Sequence, residues 1–522
     1  MKQAVLFATN FLIHLFVFAQ HNNVLISNAL NPEEPSIMIS SKNPKYIVAG
    51  ANIRSVYYSS DTGRTWSSQT LSSPVFGVYG DPAILCDTNG KFYYFHLSDP
   101  PGAPFIDQIV CQISTDNGLN WSGGVGIGLN GTKAQDKPWV ALNKNTNAVY
   151  ACWTQFDVYG SNNPGDSSII RFSKSTDGGN TWSVPIRINQ KAGDCIDSDS
   201  TVEGAVPAVG PNGEIYVAWA GPDGLVFDKS LDGGTTWMST DKIITSIPGG
   251  WDFDVPGIYR ANGLPITLCD VSNGPNRGTI YVNWSDQRNG ASDTDVWLVK
   301  STDGGNTWST PIRVNNDAPG KQQFFTWMSI DQRNGYLYFV FYDRRSYSDN
   351  QTDVYMARST NGGNSFVNFK ISETPFAPTS SVFFGDYNNL SVEKGIIRPM
   401  WTRLDNGNLS VLTALIDTTA IPGAVTGVYS PDLTVENLVA YPNPFTNNSY
   451  VSFKLRRPGK VSIEIFDLNG KKIATAVNDN FYLAGKYTEK IDIKQLNLTA
   501  GAYIYRILIN DNLYTRKLIM LN

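Results

Sequence analysis

The chain has 522 residues, 12% of them aromatic and 17% charged, with 46 Gly and a net charge of −5. That length exceeds one ordinary core and requires two or more folded units, and the mildly acidic balance excludes electrostatic attraction to nucleic acid as a partner. Short runs rich in Thr, Val, Ile and Tyr between polar turns predict an all-β protein.

The N-terminus reads Met1-Lys2, then a mostly apolar run from Phe11 to Ala19, then Gln20. One positive charge, a short apolar core and small residues before Gln20 predict a secretory signal over 1–19. The run is too short to span a bilayer, and no later segment is long and apolar enough, so no transmembrane segment is expected in the mature chain. Cys86, Cys111, Cys152, Cys195 and Cys269 are odd in number and widely spaced. They leave one extracellular disulfide open and otherwise read as small buried apolar residues.

One phrase then recurs: SSDTGRTW at 59–66, STDNGLNW at 114–121, STDGGNTW at 175–182, SLDGGTTW at 230–237, STDGGNTW at 301–308 and a weaker STNGGNSF at 359–366. From Asp61 through Asp116, Asp177, Asp232 and Asp303 to Asn361, the third positions lie 55, 61, 55, 71 and 58 residues apart. A long period of this kind marks a propeller or solenoid in which each copy is one supersecondary unit. Within the phrase, Asp can accept backbone N–H bonds across the turn, Gly supplies positive φ, and Trp buries itself. The phrase resembles the Asp-box, or BNR repeat, of sialidases and other secreted glycan-active proteins. Its own role reads as structural.

Four strands can be read around each box. In the fifth copy they are Pro265–Asp270, Thr279–Trp284, Asp295–Lys300 and Pro311–Asn315. After the sixth box, Asn388–Val392, Ile396–Trp401 and Leu409–Ile416 give three strands and no box. The segment Asn23–Ser27 resembles the strands that follow boxes, so the mature N-terminus is expected to complete the last blade and close the ring. The expectation is a seven-bladed propeller over 20–417, with six blades, the number found in sialidases, as the alternative.

A Thr/Pro/Gly-rich linker is expected over 418–436, and a small Ig-like β-sandwich over 437–522. The phrases YPNPF at 441–445, IFDLNGK at 465–471 and GAYIYRI at 501–507 resemble the type IX secretion (Por) C-terminal sorting domain. That resemblance implies handling by the type IX secretion machinery and a destination outside the cell or on the outer-membrane surface.

In an antiparallel blade the start of the first strand and the turn between the second and third strands share a face. At the first position stand Glu34, Asp81, Asp136, Glu203, Asp252 with Asp254, and Asp386, while blade six offers Gln323 before Trp327. The turns add Asp99, Asp157, Asp286 with Arg288, Asp343 with Arg344 and Arg345, and Arg403 after Trp401. Carboxylates crowded in one funnel raise one another's pKa, as acid/base chemistry requires, and equally suit a cation. They read equally as caps on loop N–H groups, and the Asp–Arg turns as ion pairs bracing the rim. The sialidase resemblance implies Tyr387 as nucleophile, Glu203 as its partner, Asp81 or Asp136 as the acid, and Arg288, Arg345 and Arg403 as a clamp on a substrate carboxylate. Asp254, Asp386 and Trp327 complete the substrate-binding candidates. The chain departs from that family in lacking a Phe-Arg-Ile-Pro phrase, Arg54 being the nearest early arginine. Asp293, Asp295, Asp349 and Asp353 are the candidates for a Ca2+ site, without a full loop signature; no other cofactor is expected. Two functions follow: a sialidase-like exo-acting glycoside hydrolase acting on an extracellular glycan or glycoprotein, or a non-catalytic, adhesin-like surface propeller that binds one.

Overall fold

The computed structural model describes residues 21–418, 421 and 435–521, apart from 456–457, 468–470, 493–495, 497–498 and 510–511. The signal segment expected over 1–19 and most of the expected linker lie outside the described residues. Between Asn23 and Asp417 the chain forms seven sheets of four antiparallel strands in series, the last with a short extra strand at Ile416–Asp417, and one two-stranded hairpin. Their first strands are Ser36–Ile39, Ala83–Cys86, Ala134–Leu142, Glu203–Val209, Ile266–Cys269, Gln323–Asp331 and Asn389–Glu393. Each of these packs on the next and the seventh packs on the first, so they form a closed ring around an axis.

The second strands, such as Phe92–Leu97, Val149–Phe156 and Ile280–Asp286, are buried along their whole length because both faces meet a neighbouring blade. They therefore show no alternation of buried and exposed positions, and polar residues such as His96, Gln155 and Asn283 are buried along with the apolar ones. Trp153, Trp219, Trp284 and Trp401 occupy such strands in four blades and are fully buried. Each contributes about 3 kcal/mol or more of burial. The outermost strands, such as Ser67–Thr70, are exposed and polar.

The seventh blade is completed by Asn23–Ser27, which pairs antiparallel with Asn408–Ala414. Ile26 is buried there against Met400 and Val411. Asn23 also ties the closing strand to blade six, donating from Nδ2 to Ile371 O at 2.8 Å.

The six recurrent turns share one geometry. The Ser hydroxyl accepts the N–H of the second Gly position, as in Ser59 with Gly63 at 2.9 Å. The Asp or Asn side chain accepts the N–H four residues on, as at Thr65, Thr181 and Thr307. These hydrogen bonds hold the carboxyls of Asp61, Asp116, Asp177, Asp232 and Asp303 below the usual carboxylate range, Asp177 at about 2. The turns also link blades. Lys174, Lys229 and Lys300 each donate from Nζ at 2.7 Å to a glycine carbonyl of the next turn, at Gly233, Gly304 and Gly362. Arg398 serves the same purpose at ring closure, donating from Nε to Thr62 O at 2.7 Å. All five cysteines are buried and unbridged.

The C-terminal strands form two antiparallel sheets. One orders Val435–Tyr441, Asn448–Leu455 and Gly485–Asp492; the other orders Lys472–Tyr482, Gly459–Phe466, Gly501–Ile509 and Asn512–Met520. Val451 and Phe453 from the first share a core with Val461, Ile463, Ile465 and Ile507 from the second, which makes a small sandwich.

Candidate active site

Several first strands begin irregularly, and this aims their leading side chains at the axis. The register slips between Asp136 and Trp139, between Glu203 and Val206, and between Phe324 and Trp327. Lys137 and Phe325 there carry φ of 48°, and Glu34 and Asp81 at the matching points carry 52° and 51°. Bulges and left-handed residues of this kind re-aim side chains and concentrate at functional sites.

The result is one buried charged group. Lys137 Nζ lies 3.0 Å from Asp386 Oδ2 and 3.7 Å from Glu203 Oε1. Arg260 grips both oxygens of Asp386, with Nε donating to Oδ1 at 2.9 Å, and reaches Asp197 Oδ2 from Nη1 at 3.1 Å. Tyr159 donates to the same Asp197 oxygen at 2.8 Å. Tyr387 donates from its hydroxyl to Asp81 Oδ1 at 3.2 Å, and Asp136 accepts the Lys137 N–H at 2.8 Å. Asn52 donates to Glu34 and accepts the Asp81 N–H at 2.7 Å. Asn262 donates to the Asp386 carbonyl at 2.9 Å. Beneath lies an aromatic floor: the Trp139 ring is 4.4 Å from Trp327 and 5.0 Å from Tyr387 between centroids.

Burial and mutual repulsion set the protonation. Desolvation, then repulsion from Asp81 and Asp386, holds Glu34 well above the usual carboxyl range. Asp136 is pushed up to about 8 by burial first, against the pull of Lys137. Glu203 is raised by burial and by Asp197, and both its oxygens lack a hydrogen-bond partner. Burial opposes ionisation of Asp386 as well, yet Lys137 and Arg260 hold it below its ordinary value. The Tyr387 hydroxyl is raised by burial and the surrounding carboxylates, so it stays protonated.

The structure thus gathers Tyr387, Glu203, Asp81, Asp136, Asp386 and Trp327, but with Asp81 rather than Glu203 as the partner of Tyr387. The three-arginine clamp requires correction. Arg288 pairs with Asp286, Arg345 with Asp343 and Arg403 with Asp405, each within its own turn. Each also stacks on a nearby ring, Arg345 at 4.2 Å from Tyr355. These guanidiniums brace the rim and do not converge on Tyr387. Asp254 is exposed and outside the group, because a two-stranded hairpin, Asp252–Phe253 with Ala261–Asn262, intervenes before the fifth blade's first strand. That hairpin delivers Arg260; the sequence alone assigns no role to Arg260, Asp197 or Lys137.

The calcium candidates are corrected on the same geometric grounds. Asp295 accepts from Arg313, Asn315 and Asn289, each at 2.6 Å. Asp293 accepts the Gly320 N–H, Asp353 accepts from Ser372 and Tyr347, and Asp349 accepts the Gln351 N–H. Their oxygens face N–H and O–H donors instead of a shared cation position. Among the described residues, no group of three or more His, Cys, Asp or Glu is arranged to hold a metal ion.

Two pairs of aromatic residues stand next to the group in sequence, three of the four rings exposed. Tyr79 precedes Asp81 and packs against Phe105 at 5.2 Å; Tyr259 adjoins Arg260 and packs against Phe383 at 5.9 Å. Arg260 lies over the Phe383 ring at 5.4 Å.

Residues 439–521 match the family described as a secretion system C-terminal sorting domain. This segment is the sandwich described above. The sorting domain directs the protein to type IX secretion, and so to the cell surface or the outer membrane's exterior. Among the described residues, no helix is long and apolar enough to cross a membrane. No curated protein matches the chain. Among solved structures, a Hadza microbial sialidase is 13% identical with a TM-score of 0.43, over 72% of this chain and 74% of that one. A Penicillium chrysogenum alpha-L-arabinanase complexed with arabinobiose is 13% identical with a TM-score of 0.42, over 76% and 97%. An ulvan lyase gives 12% identity and a TM-score of 0.42, over 77% and 96%. At these values the fold assignment rests on the strand topology.

Proposed function

We propose that the propeller is a glycan-active enzyme at the cell surface, an exo-acting glycoside hydrolase with sialidase-like use of a tyrosine. The observation that carries this reading is the hydrogen bond from Tyr387 to Asp81 with Asp136, a carboxyl held protonated near neutral pH, in the same buried group. Asp136 gives its proton to the leaving glycosidic oxygen as the bond to the anomeric carbon breaks. Tyr387 Oη forms the new bond to that carbon while its proton passes to Asp81. Water then attacks the same carbon, Asp136 takes the water proton, and Asp81 returns a proton to Tyr387.

Trapping tests this assignment. A 2-fluoro glycoside of a turned-over sugar is expected to add its glycosyl mass to the peptide carrying Tyr387. Continued hydrolysis with a label on another residue, or none, would remove Tyr387 as nucleophile. A second reading, a non-catalytic glycan-binding propeller, is favoured by one specific observation: Glu203 is 0% and Asp386 2% exposed, and the rim arginines are all internally paired. Glycan binding without bond cleavage by the secreted protein would select it.

A further inference from the structure

The arrangement around Asp386 speaks to the kind of sugar the site accepts. Lys137 and Arg260 are the cations that touch the acidic group, and both are engaged by carboxylates of this chain. Lys137 lies between Asp386 and Glu203, while Arg260 lies between Asp386 and Asp197. The Asp386 carboxylate receives one ammonium and a two-pronged guanidinium, the geometry by which proteins hold a bound carboxylate. Its backbone carbonyl is fixed by Asn262 and it is 2% exposed, so it does not swing aside freely. Around it stand Glu33, Glu34, Asp81, Asp136 and Glu203, and the two glutamates at 33 and 34 are held above their ordinary values partly by Asp81 and Asp386. Another anion there would meet the Asp386 carboxylate and find no uncommitted donor cation.

The geometry points to Asp386 as an internal occupant of an anion clamp, so that the sugar in the reacting position is one without a carboxylate, a neutral glycoside instead of a sialoside or uronide. This rests on the hydrolase reading for its substrate, while the clamp itself is a property of the charges. Asp386 is here a specificity-determining residue: it acts through Lys137 and Arg260.

The full-length secreted protein would be assayed with aryl glycosides of neutral hexoses and pentoses, and with the aryl sialoside and glucuronide. Neutral substrates should be turned over, with the acidic ones slower by about a hundredfold or more, as like-charge juxtaposition imposes. Preferential turnover of the sialoside or glucuronide would overturn the inference and leave the hydrolase reading standing. In parallel, free sialic acid and glucuronic acid would be titrated calorimetrically into the parent and Asp386→Asn proteins, with folding checked by thermal melt. Release of Lys137 and Arg260 should raise affinity for the acids by about tenfold or more over the parent. A folded variant with no gain would overturn the clamp. If no glycoside of either kind is cleaved, the hydrolase reading falls, and the titration still decides the clamp. Should Asp386→Asn fail to fold, Asp386→Ser supplies the same cavity with a smaller neutral group for the same titration.

Discussion

Replacing Asp136 with Asn should change how stability depends on pH. The native carboxyl is pushed up to about 8 from an ordinary 3.8, chiefly by burial. An unfolded chain gives up this proton near pH 4, whereas the native state keeps it until about pH 8. The unfolded state therefore binds fewer protons across that window, and stability falls as pH rises through it. At about 1.4 kcal/mol per pH unit, the loss from this one group between about pH 6 and pH 8 is about 2–3 kcal/mol. Asn has no proton to lose and nearly the same shape, so the variant should be spared that loss while Glu34 and Glu203 continue to titrate. Urea melts followed by tryptophan fluorescence at the two pH values would measure the difference, because Trp139 lies on the site's floor. Parallel declines in parent and variant would show that Asp136 ionises normally and would refute its reading as an acid protonated near neutral pH.

Other consequences follow from the ring. Ile26→Ala should cost about 2–3 kcal/mol, and deletion of residues 23–28 more, read as a fall in Tm; an unchanged Tm on deletion would contradict ring closure. Arg398→Ala removes donors from the Thr62, Ile397 and Ile416 carbonyls and should destabilise by about 2–3 kcal/mol in the same melts. Asp303→Ala should lower Tm slightly through lost turn hydrogen bonds and leave kcat at the parental value. Truncation after residue 436 should leave a folded propeller that cell fractionation no longer finds outside the outer membrane.

The architecture was legible where the physics is local. Six turns with the same Ser, Asp and Gly spacing announce themselves because each closes its own hydrogen bonds, from Ser59–Gly63 through Ser359–Gly363. The closing strand was legible because Asn23–Ser27 has the pattern of an outer strand with no other blade to join. The site was legible only in part. Asp81, Asp136, Glu203 and Asp386 share a position at the start of four blades, so blade order alone predicts their convergence. Arg260 carries no such signal, since it stands on a hairpin inserted ahead of the fifth blade's first strand. The pairing of Arg288, Arg345 and Arg403 depends on a two-residue spacing to Asp286, Asp343 and Asp405, which sequence leaves open to two readings until side-chain directions are known.

The most direct test of catalysis is reducing-sugar release from natural glycans by the secreted protein, compared with Asp136→Asn and matched for folding by thermal melt. The parent should release sugar, and the variant should lose about 10²–10⁴-fold in kcat through loss of its general acid. A folded Asp136→Asn protein that releases sugar at the parental rate would contradict the account.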